Sequence, residues 1–566
     1  MTEPPSWTMI NTARAIATRA HRGQTDKIGR PYIRHPETVA ELVRYLPAYE
    51  ALEPAERADA VAAAWLHDVI EDTDQTAESL AASGISDGAV AAALALTRHD
   101  EVADADYYAT IDRSPVARAI KIADLASNLD PARTAGLDHA TRDRLDAKYA
   151  GAMSALSVDP VVIEALHAAA RADHPVTPVR LGVIGFGLRG QLARSAHAPH
   201  RGSVITAICD PSPRGRADAR QTFPADVLIT DDLDTLLASD LDAVLLLTPD
   251  HLHEPMAIEL LGAGVAVFCE KPLAVTVEGC DAVLRAAFQS GSKLYVGHNM
   301  RHMPVVTTLR GLIAAGRIGE VQGVWCRHFV GHGGDFYFKD WHADRRNSTG
   351  LLLQKGAHDI DVIHDLAGGE SVSVSAVGAL RVYGDGARRR EREDSRLSDW
   401  FDETGWPPRE LQDLNPVVDV EDISMMIMKL DNGVLASYQQ CHFTPDYWRN
   451  YTVIGDAGRL ENFGDGPGGR IGLWNRRHRG WSEPDEVFPI PDGDGGHAGA
   501  DPAMIAEFVE FVRSGTATTT TPLSARQAVA TAVAATESLR GDGSSRGIPP
   551  VDPELTAYFA GGQRRG

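Results

Sequence analysis

The spacing of hydrophobic residues changes character once along this chain, at a pair of prolines, and no single architecture accommodates both sides. Residues 7–170 place apolar side chains at helical spacing, as in ADAVAAAWLHDVI, GAVAAALALTRH and VVIEALHAAARA, with almost no alternating β-branched runs. Pro175 and Pro178 in RADHPVTP forbid continuing the last helix and favour an extended tether. Beyond them, VRLGVIG, SVITAICD, DAVLLLTP and AVFCEKP are short apolar runs separated by helical stretches such as EPMAIELLGAG, the rhythm of a parallel sheet with crossover helices. From about residue 320 to 480 the runs alternate instead, in VQGVWCRHFVG, VSVSAVGALRVYG, ISMMIMKLDNGVLASYQQ and YTVIGDAGRLENF, with DNG and DAG turns between antiparallel neighbours.

The expected organisation is therefore multidomain, as a length of 566 residues also suggests. It comprises an all-α domain over 1–172, a linker at 173–178, and an α/β domain over 179–300. An α+β domain with a large, mostly antiparallel sheet follows over 301–545, with helices at 501–515 and 524–541, and then a loosely held polar tail over 546–566.

Charge narrows the partners. With 55 Lys and Arg against 78 Asp and Glu the formal net charge is −23, which repels phosphate backbones and anionic lipid, so neither nucleic acid nor membrane is expected. The dense basic run GARRREREDSR (386–396) alternates into acid at once and reads as solvated surface. Five scattered cysteines suggest neither a disulfide framework nor a zinc knuckle, and fit a reducing compartment. No signal-peptide-like stretch and no run of about 18 apolar residues occurs. The expectation is a cytoplasmic protein acting on small molecules and self-associating through the sheet of its last domain.

Two clusters carry chemistry. In WLHDVIEDT (65–73), helical spacing pairs His67 with Glu71 and Asp68 with Asp72, one turn apart on adjacent faces. His35 in YIRHP lies upstream and Asp124 in KIADLASNLD downstream. One imidazole among three carboxylates is costly without a cation, and a mixed set of this kind suits manganese, iron, zinc or magnesium. Such an ion lowers the pKa of bound water and supplies hydroxide for attack on phosphorus. Over residues 7–170 these motifs, with HRGQTDKIGRPYIRHP (21–36), resemble the HD phosphohydrolase superfamily, and within it the hydrolase domain of RelA/SpoT-type alarmone enzymes. The resemblance implies His35, His67, Asp68 and Asp124 as ligands of a divalent metal, manganese first among them. It also implies Glu71 and Asp72 as partners of the attacking water, Asn128 as a substrate contact, and Arg22, Lys27 and Lys148 as phosphate contacts. One departure stands out: Thr25, Asp26 and Lys27 follow Gln24 where the alarmone hydrolases carry a basic pair, which speaks against ppGpp and for a different phosphate or diphosphate ester.

The second cluster begins with GFGLRG, which puts Gly185, Gly187 and Gly190 in a GxGxxG after an apolar strand, with Asp210 at the end of the next strand, 25 residues after Gly185. Such an aspartate accepts ribose hydroxyls and disfavours a 2′-phosphate, so NAD is expected before NADP, although Arg214 leaves NADP open. Glu270, Lys271 and Pro272 follow the strand AVFC at its carboxyl end. The triplet in this position, with LLLQKGAHDIDVI downstream, resembles the Gfo/Idh/MocA oxidoreductases over residues 179 to about 550. The resemblance implies a Rossmann domain, Glu270 and Lys271 near the cofactor, Lys271 on the developing alkoxide, and His358 as general base. The family's sugar dehydrogenases usually carry an aspartate four residues before this histidine; here Gln354 stands there, followed by Lys355, both read as substrate contacts. His298, Asn299, Arg301, Trp341 and His342 are further pocket candidates, and Asp359 and Asp361 serve either the pocket or the helix.

The combined reading is a bifunctional enzyme: an NAD-dependent oxidoreductase acting on a CH–OH group of a sugar, cyclitol or derivative, fused to a metal-dependent phosphate ester hydrolase. Three alternatives stay open: an oxidoreductase whose helical domain only senses a nucleotide, a glycosidase using NAD for transient redox, and a non-catalytic sugar-sensing regulator.

Overall fold

The computed structural model describes residues 6–27, 32–98, 101–130, 134, 139–173, 178–198, 202–385, 388–392, 395–492 and 496–564. The chain forms two compact units, Met1–Thr177 and Pro178–Gly566. Of the expected linker, residues 174–177 lie outside the described residues, as do 386–387 and 393–394 of the basic run.

The first unit is helical. Its main helices are α1 (Ser6–Ala20), α2 (Arg34–Leu42), α3 (Pro54–Leu66), α4 (Val69–Asp72), α5 (Asp87–Leu96), α6 (Asp104–Asp112), α7 (Pro115–Asn128), α8 (His139–Ala155) and α9 (Pro160–Asp173). Helix α3 is central because alanines let neighbours approach: Ala60, Ala62, Ala63 and Ala64 are fully buried against α1, α2, α5 and α7. Its start is set by Pro54 at the first turn and a reciprocal box between Glu53 and Glu56. Helix α7 starts the same way, with Ser114 accepting from the Ala117 N–H and Pro115 in the first turn. It is apolar over Ile120, Ile122, Ala123 and Leu125, yet it also buries Asp124 and Ser127. Buried polar groups on an apolar helix need partners, and these two mark where the site lies.

The second unit opens with a parallel sheet in the order β3-β2-β1-β4-β5-β6, formed by β1 (Val179–Ile184), β2 (Ser203–Cys209), β3 (Leu228–Thr230), β4 (Ala243–Leu246), β5 (Ala266–Cys269) and β6 (Leu294–Val296). Strands β4, β5 and β6 are buried throughout, as a sheet covered on both faces requires. A nine-stranded sheet follows, in the order β14-β13-β12-β11-β7-β10-β9-β8-β15. Its strands are β7 (Val321–Phe329), β8 (Ser371–Ala379), β9 (Ile423–Leu430), β10 (Leu435–Cys441), β11 (Trp448–Gly455), β12 (Arg459–Phe463), β13 (Arg470–Trp474), β14 (Glu486–Pro489) and β15 (Arg546–Gly547). Every pair is antiparallel except β7 with β10. The Asp431-Asn432-Gly433 turn joins β9 to β10, with Gly433 at φ +88°, and Asp456-Ala457-Gly458 joins β11 to β12.

Two expectations need correction. The helix Ala500–Ser514, assigned from sequence to the substrate domain, packs Met504, Ile505, Phe508 and Phe511 among Leu181, Phe268 and Tyr295 of the parallel-sheet domain. Its apolar face is simply complementary to the uncovered side of that sheet. The tail is not loose either: Arg546–Gly547 pairs with β8, and the helix Pro553–Ala560 buries Leu555, Tyr558 and Phe559. Three apolar side chains in one short helix outweigh the polar composition around them. Among the described residues no single helix is long and apolar enough to cross a membrane.

Candidate functional sites

In the first unit four donor atoms converge. The expected continuous helix through His67 breaks: α3 ends at Leu66, His67 and Asp68 form a turn, and α4 resumes at Val69. The turn, rather than one helix face, carries the His-Asp pair. His67 Nδ1 donates to the Ala64 carbonyl (2.8 Å), which turns Nε2 inward. His35 on α2 packs Nδ1 against Ser127 Oγ (2.9 Å) and likewise turns Nε2 inward. The separations are 3.3 Å for Nε2 to Nε2, 3.1 Å for His35 Nε2 to Asp124 Oδ1 and 3.1 Å for His67 Nε2 to Asp68 Oδ2. The cross pairs are 3.6 Å and 3.8 Å. Two donors each about 2.1 Å from one ion lie about 3.0–3.4 Å apart at octahedral to tetrahedral angles, so this set fits a first-row divalent metal or magnesium.

Outer partners orient the carboxylates. Tyr32 Oη donates to Asp68 Oδ2 (2.7 Å), Asn128 Nδ2 to Asp124 Oδ1 (2.6 Å) and Lys121 Nζ to Asp124 Oδ2 (2.9 Å). Burial lowers the pKa of His35, whereas at His67 burial is overridden by Asp68 and Asp124, which push it up to about 9. The expected substrate contact Asn128 is therefore occupied by a candidate ligand. Sequence reasoning missed Tyr32 and Lys121; the latter was signalled by standing three residues before Asp124 on the same helix.

Above the donors opens a cavity of ≈ 360 Å³ lined among others by Lys27, Glu71, Asp72, Arg98, Tyr107 and Lys148. Glu71 and Asp72 are exposed at its rim, and Glu71 accepts from the Arg98 backbone N–H (2.8 Å). Burial, reinforced by Asp68, raises the pKa of Asp72. Arg22 is exposed and lies outside the cavity lining.

In the second unit the GxGxxG closes as the pattern requires. Gly185 has φ +88°, and a Cβ there would lie 2.9 Å from the Leu247 carbonyl oxygen; a Cβ on Gly187 would meet nothing within 4 Å, leaving room for a pyrophosphate. Gly190 packs against the Phe186 ring. The helix that follows is short, Gln191–Ala196, after a tight turn at Leu188–Gly190. Asp210 Oδ2 accepts from the Phe186 N–H (2.5 Å) and Oδ1 from the Ser212 N–H (2.8 Å), so the carboxylate also braces the glycine loop. Glu270 is similarly engaged, accepting from Arg189 Nε (2.7 Å) and from the Lys271 N–H (2.9 Å). Arg189 continues to Asp501 at 3.0 Å, which also accepts from Asn299 Nδ2 (2.7 Å).

Strand β5 delivers Lys271 to the cleft, where Nζ donates to the Gln354 carbonyl (2.9 Å). His358 lies in the helix Gly356–Ala367, its ring centroid 6.1 Å from that of His298. Burial, with Lys271 and Lys355 nearby, holds His358 well below the usual imidazole range, so it is neutral. Burial, then Arg449 and Lys271, lower Lys355 to about 7 against the opposing Asp359 and Asp465; its Nζ lies 6.0 Å over the Tyr337 ring. Asp250, in TPDHLH at the carboxyl end of β4, is pushed up to about 8 by burial, with Lys271 opposing and Glu270 reinforcing. That position after a parallel strand was the available sequence signal for it.

Three candidates are engaged within the protein. Arg301 grips Asp361 through Nε and Nη2, both at 2.8 Å, and reaches Asp365. Asp359 is fully buried, accepts from Tyr451 Oη (2.5 Å), Tyr438 Oη (3.0 Å) and His328 Nδ1 (3.0 Å), and forms an ion pair with Arg449, whose Nε lies 3.1 Å away. Around Lys271 and His358 many buried polar atoms have no hydrogen-bond partner: both ring nitrogens of His298 and His442, Nδ1 of His342 and His358, Asp250 Oδ2 and Gln354 Oε1. Trp341 stacks on His342 with centroids 3.8 Å apart. A cleft this polar and this unsatisfied is built for a ligand that supplies hydrogen bonds.

Residues 179–298 match the family model described as an oxidoreductase family with NAD-binding Rossmann fold, and residues 310–545 match that of its C-terminal alpha/beta domain. The chain belongs, over these residues, to the Gfo/Idh/MocA oxidoreductase family. Similar proteins include inositol 2-dehydrogenase of Rhizobium meliloti, 30% identical over 36% of this chain and 59% of that protein. Another is 1-carboxy-3-chloro-3,4-dihydroxycyclohexa-1,5-diene dehydrogenase of Comamonas testosteroni, 30% identical over 35% of this chain and 50% of that protein. The chain thus spans between half and three-fifths of these two relatives. Levoglucosan dehydrogenase in complex with NADH and levoglucosan shares the fold, with a TM-score of 0.54, 20% identity, and coverage of 66% of this chain and all of that one. Both family matches lie beyond the helical unit.

Proposed function

We propose that the second unit oxidises or reduces a CH–OH group of a sugar, cyclitol or sugar derivative with NAD. The observation that carries this reading is the set of unpartnered buried donors and acceptors around Lys271 and His358, which a polyhydroxylated substrate would satisfy. NAD, when bound, exchanges hydride with the substrate carbon. The chain's residues handle the proton and the charge. Neutral His358 takes the hydroxyl proton, help worth about 100- to 10,000-fold. Lys271, fixed at one N–H by the Gln354 carbonyl, directs its remaining donors at the developing alkoxide. Lys355 stands where Gln354 cannot relay a proton, and an amine titrating about 7 can. The named activities of the inositol and levoglucosan dehydrogenases support this substrate class. Purified full-length protein with NAD, screened against cyclitols, aldoses and anhydrosugars for NADH formation, tests it; no turnover across those classes in either direction would overturn it. Self-association through the nine-stranded sheet belongs to the same reading, since its open face exposes Trp325, Met425, Ile427 and Leu435.

A second reading concerns the helical unit, which we propose to be a metal-dependent phosphate or diphosphate ester hydrolase. The converging donors of His35, His67, Asp68 and Asp124 favour it, and Lys27, Arg98, Lys121 and Lys148 around the cavity suit an anionic substrate. A divalent ion, manganese first, would supply an acidified water. Asp72 and Glu71, exposed at the rim, would orient that water. Phosphate release by the full-length protein, measured with manganese, zinc or iron against a panel of phosphate esters, is the test; ppGpp is expected to be a poor member of the panel.

A further inference from the structure

A short circuit of charged groups closes around the ribose end of the dinucleotide cleft, and half of it comes from the other domain. It begins in the glycine loop, where the Phe186 N–H donates to Asp210 while the Phe186 carbonyl accepts from Arg396 Nη2 (3.0 Å). Arg396 also pairs with Asp218 of the helix Pro213–Thr222, and its backbone N–H donates to Asp399 Oδ2 (2.9 Å). Asp399 then holds the guanidinium of Arg214 through both oxygens, with Nη2 to Oδ1 at 3.0 Å. Arg214 is the second residue of that same helix, four residues beyond Asp210.

The placement of Arg214 is that of a 2′-phosphate receptor, a cation just past the second strand of a dinucleotide fold. Asp210 alone does not close this route, because Arg214 offers a compensating cation four residues beyond it. Asp399 changes the balance. It covers the guanidinium fork in a bidentate pair and adds a second carboxylate where the extra phosphate would sit.

We propose that Asp399 is a specificity-determining residue, which holds Arg214 across the domain boundary and thereby rejects cofactors carrying a 2′-phosphate. The proposal rests on the dinucleotide reading of this cleft. Calorimetric titration of NADH and NADPH into the full-length protein and its Asp399→Ala, Asp399→Asn, Arg214→Ala and Asp399→Ala/Arg214→Ala variants tests it. Asp399→Ala should tighten NADPH about tenfold and leave NADH within about twofold, tenfold being about 1.4 kcal/mol. Asp399→Asn, which keeps the side-chain volume and so guards against a collapsed segment, should move NADPH in the same direction. The double variant should return NADPH to its original weakness. Unchanged NADPH affinity in both single Asp399 variants, or an equal shift for both cofactors, would overturn the proposal while leaving NADH binding and the dinucleotide reading intact. A wild-type protein that binds neither cofactor would overturn both.

Discussion

His35 Nε2 and His67 Nε2 face each other at 3.3 Å, each ring turned inward by a bond from its other nitrogen. Two imidazole nitrogens that close cannot both carry protons at low cost, and they do not hydrogen-bond unless one does. Between Asp68 and Asp124 the arrangement is better satisfied by a shared cation.

The full-length protein is therefore expected to bind about one equivalent of a divalent transition metal through its helical unit. Asp68→Ala should lose it, whereas Glu71→Gln should keep it and lose hydrolysis rate, because Glu71 sits at the rim and outside the donor set. Elemental analysis after reconstitution with manganese, zinc or iron decides this; undiminished metal in Asp68→Ala would count against the assignment.

Lys271→Ala and His358→Ala should each lower kcat by about 100-fold or more while NADH affinity changes little. Both residues face the cleft, and neither bonds the glycine loop. Steady-state kinetics paired with calorimetry would separate the two effects, and normal turnover in both variants would discard the hydride-site assignment.

The rate of alcohol oxidation should rise as pH passes through about 7, where Lys355 loses its proton and becomes a base. Its low value follows from burial and from the facing cations Arg449 and Lys271, moderated by Asp359 and Asp465. Because deprotonation is the activating event, the limb lies on the acid side of the profile, and it should vanish in Lys355→Met. A profile of kcat/KM against pH in both proteins reads this directly.

Asp359→Ala should destabilise the second unit by about 3–5 kcal/mol, since it strands the buried guanidinium of Arg449. Thermal unfolding followed by near-ultraviolet dichroism measures it. A shift within error would show that Arg449 finds another carboxylate, with Asp465 at 3.3 Å the candidate.

If the open sheet face carries self-association, Ile427→Lys should yield monomers, because Ile427 is 64% exposed on β9. Light scattering of both proteins would show it, and an unchanged mass would place any association elsewhere.

The two sets of elements were legible from sequence for different reasons. Buried parallel strands announce themselves as unbroken apolar runs, and Gly185 and Gly187 occupy positions where a side chain is either excluded or would fill the opening. The donor set at His35, His67, Asp68 and Asp124 was legible because polar residues interrupt otherwise apolar helices. What sequence could not convey was who holds whom. Asp210 and Glu270 read as cofactor contacts, and their oxygens also brace Phe186 and Arg189, pairings between neighbouring strand ends that spacing along the chain does not announce. The helical continuity assumed through His67 failed because side-chain periodicity does not register a two-residue turn. Helix Ala500–Ser514 was misplaced because amphipathic spacing reveals an apolar face without naming the surface it will cover.

That helix has a consequence for synthesis. Phe508 is fully enclosed by Phe268 and Tyr295, rings contributed more than two hundred residues earlier. While the ribosome makes the intervening sheet, the nucleotide-binding fold waits with one flank unsealed, and it is completed only after residue 514 has emerged. Its nascent form keeps these rings uncovered while the chain from residue 296 to residue 514 is made, so the order in which this chain is made runs against the order in which its domains are drawn.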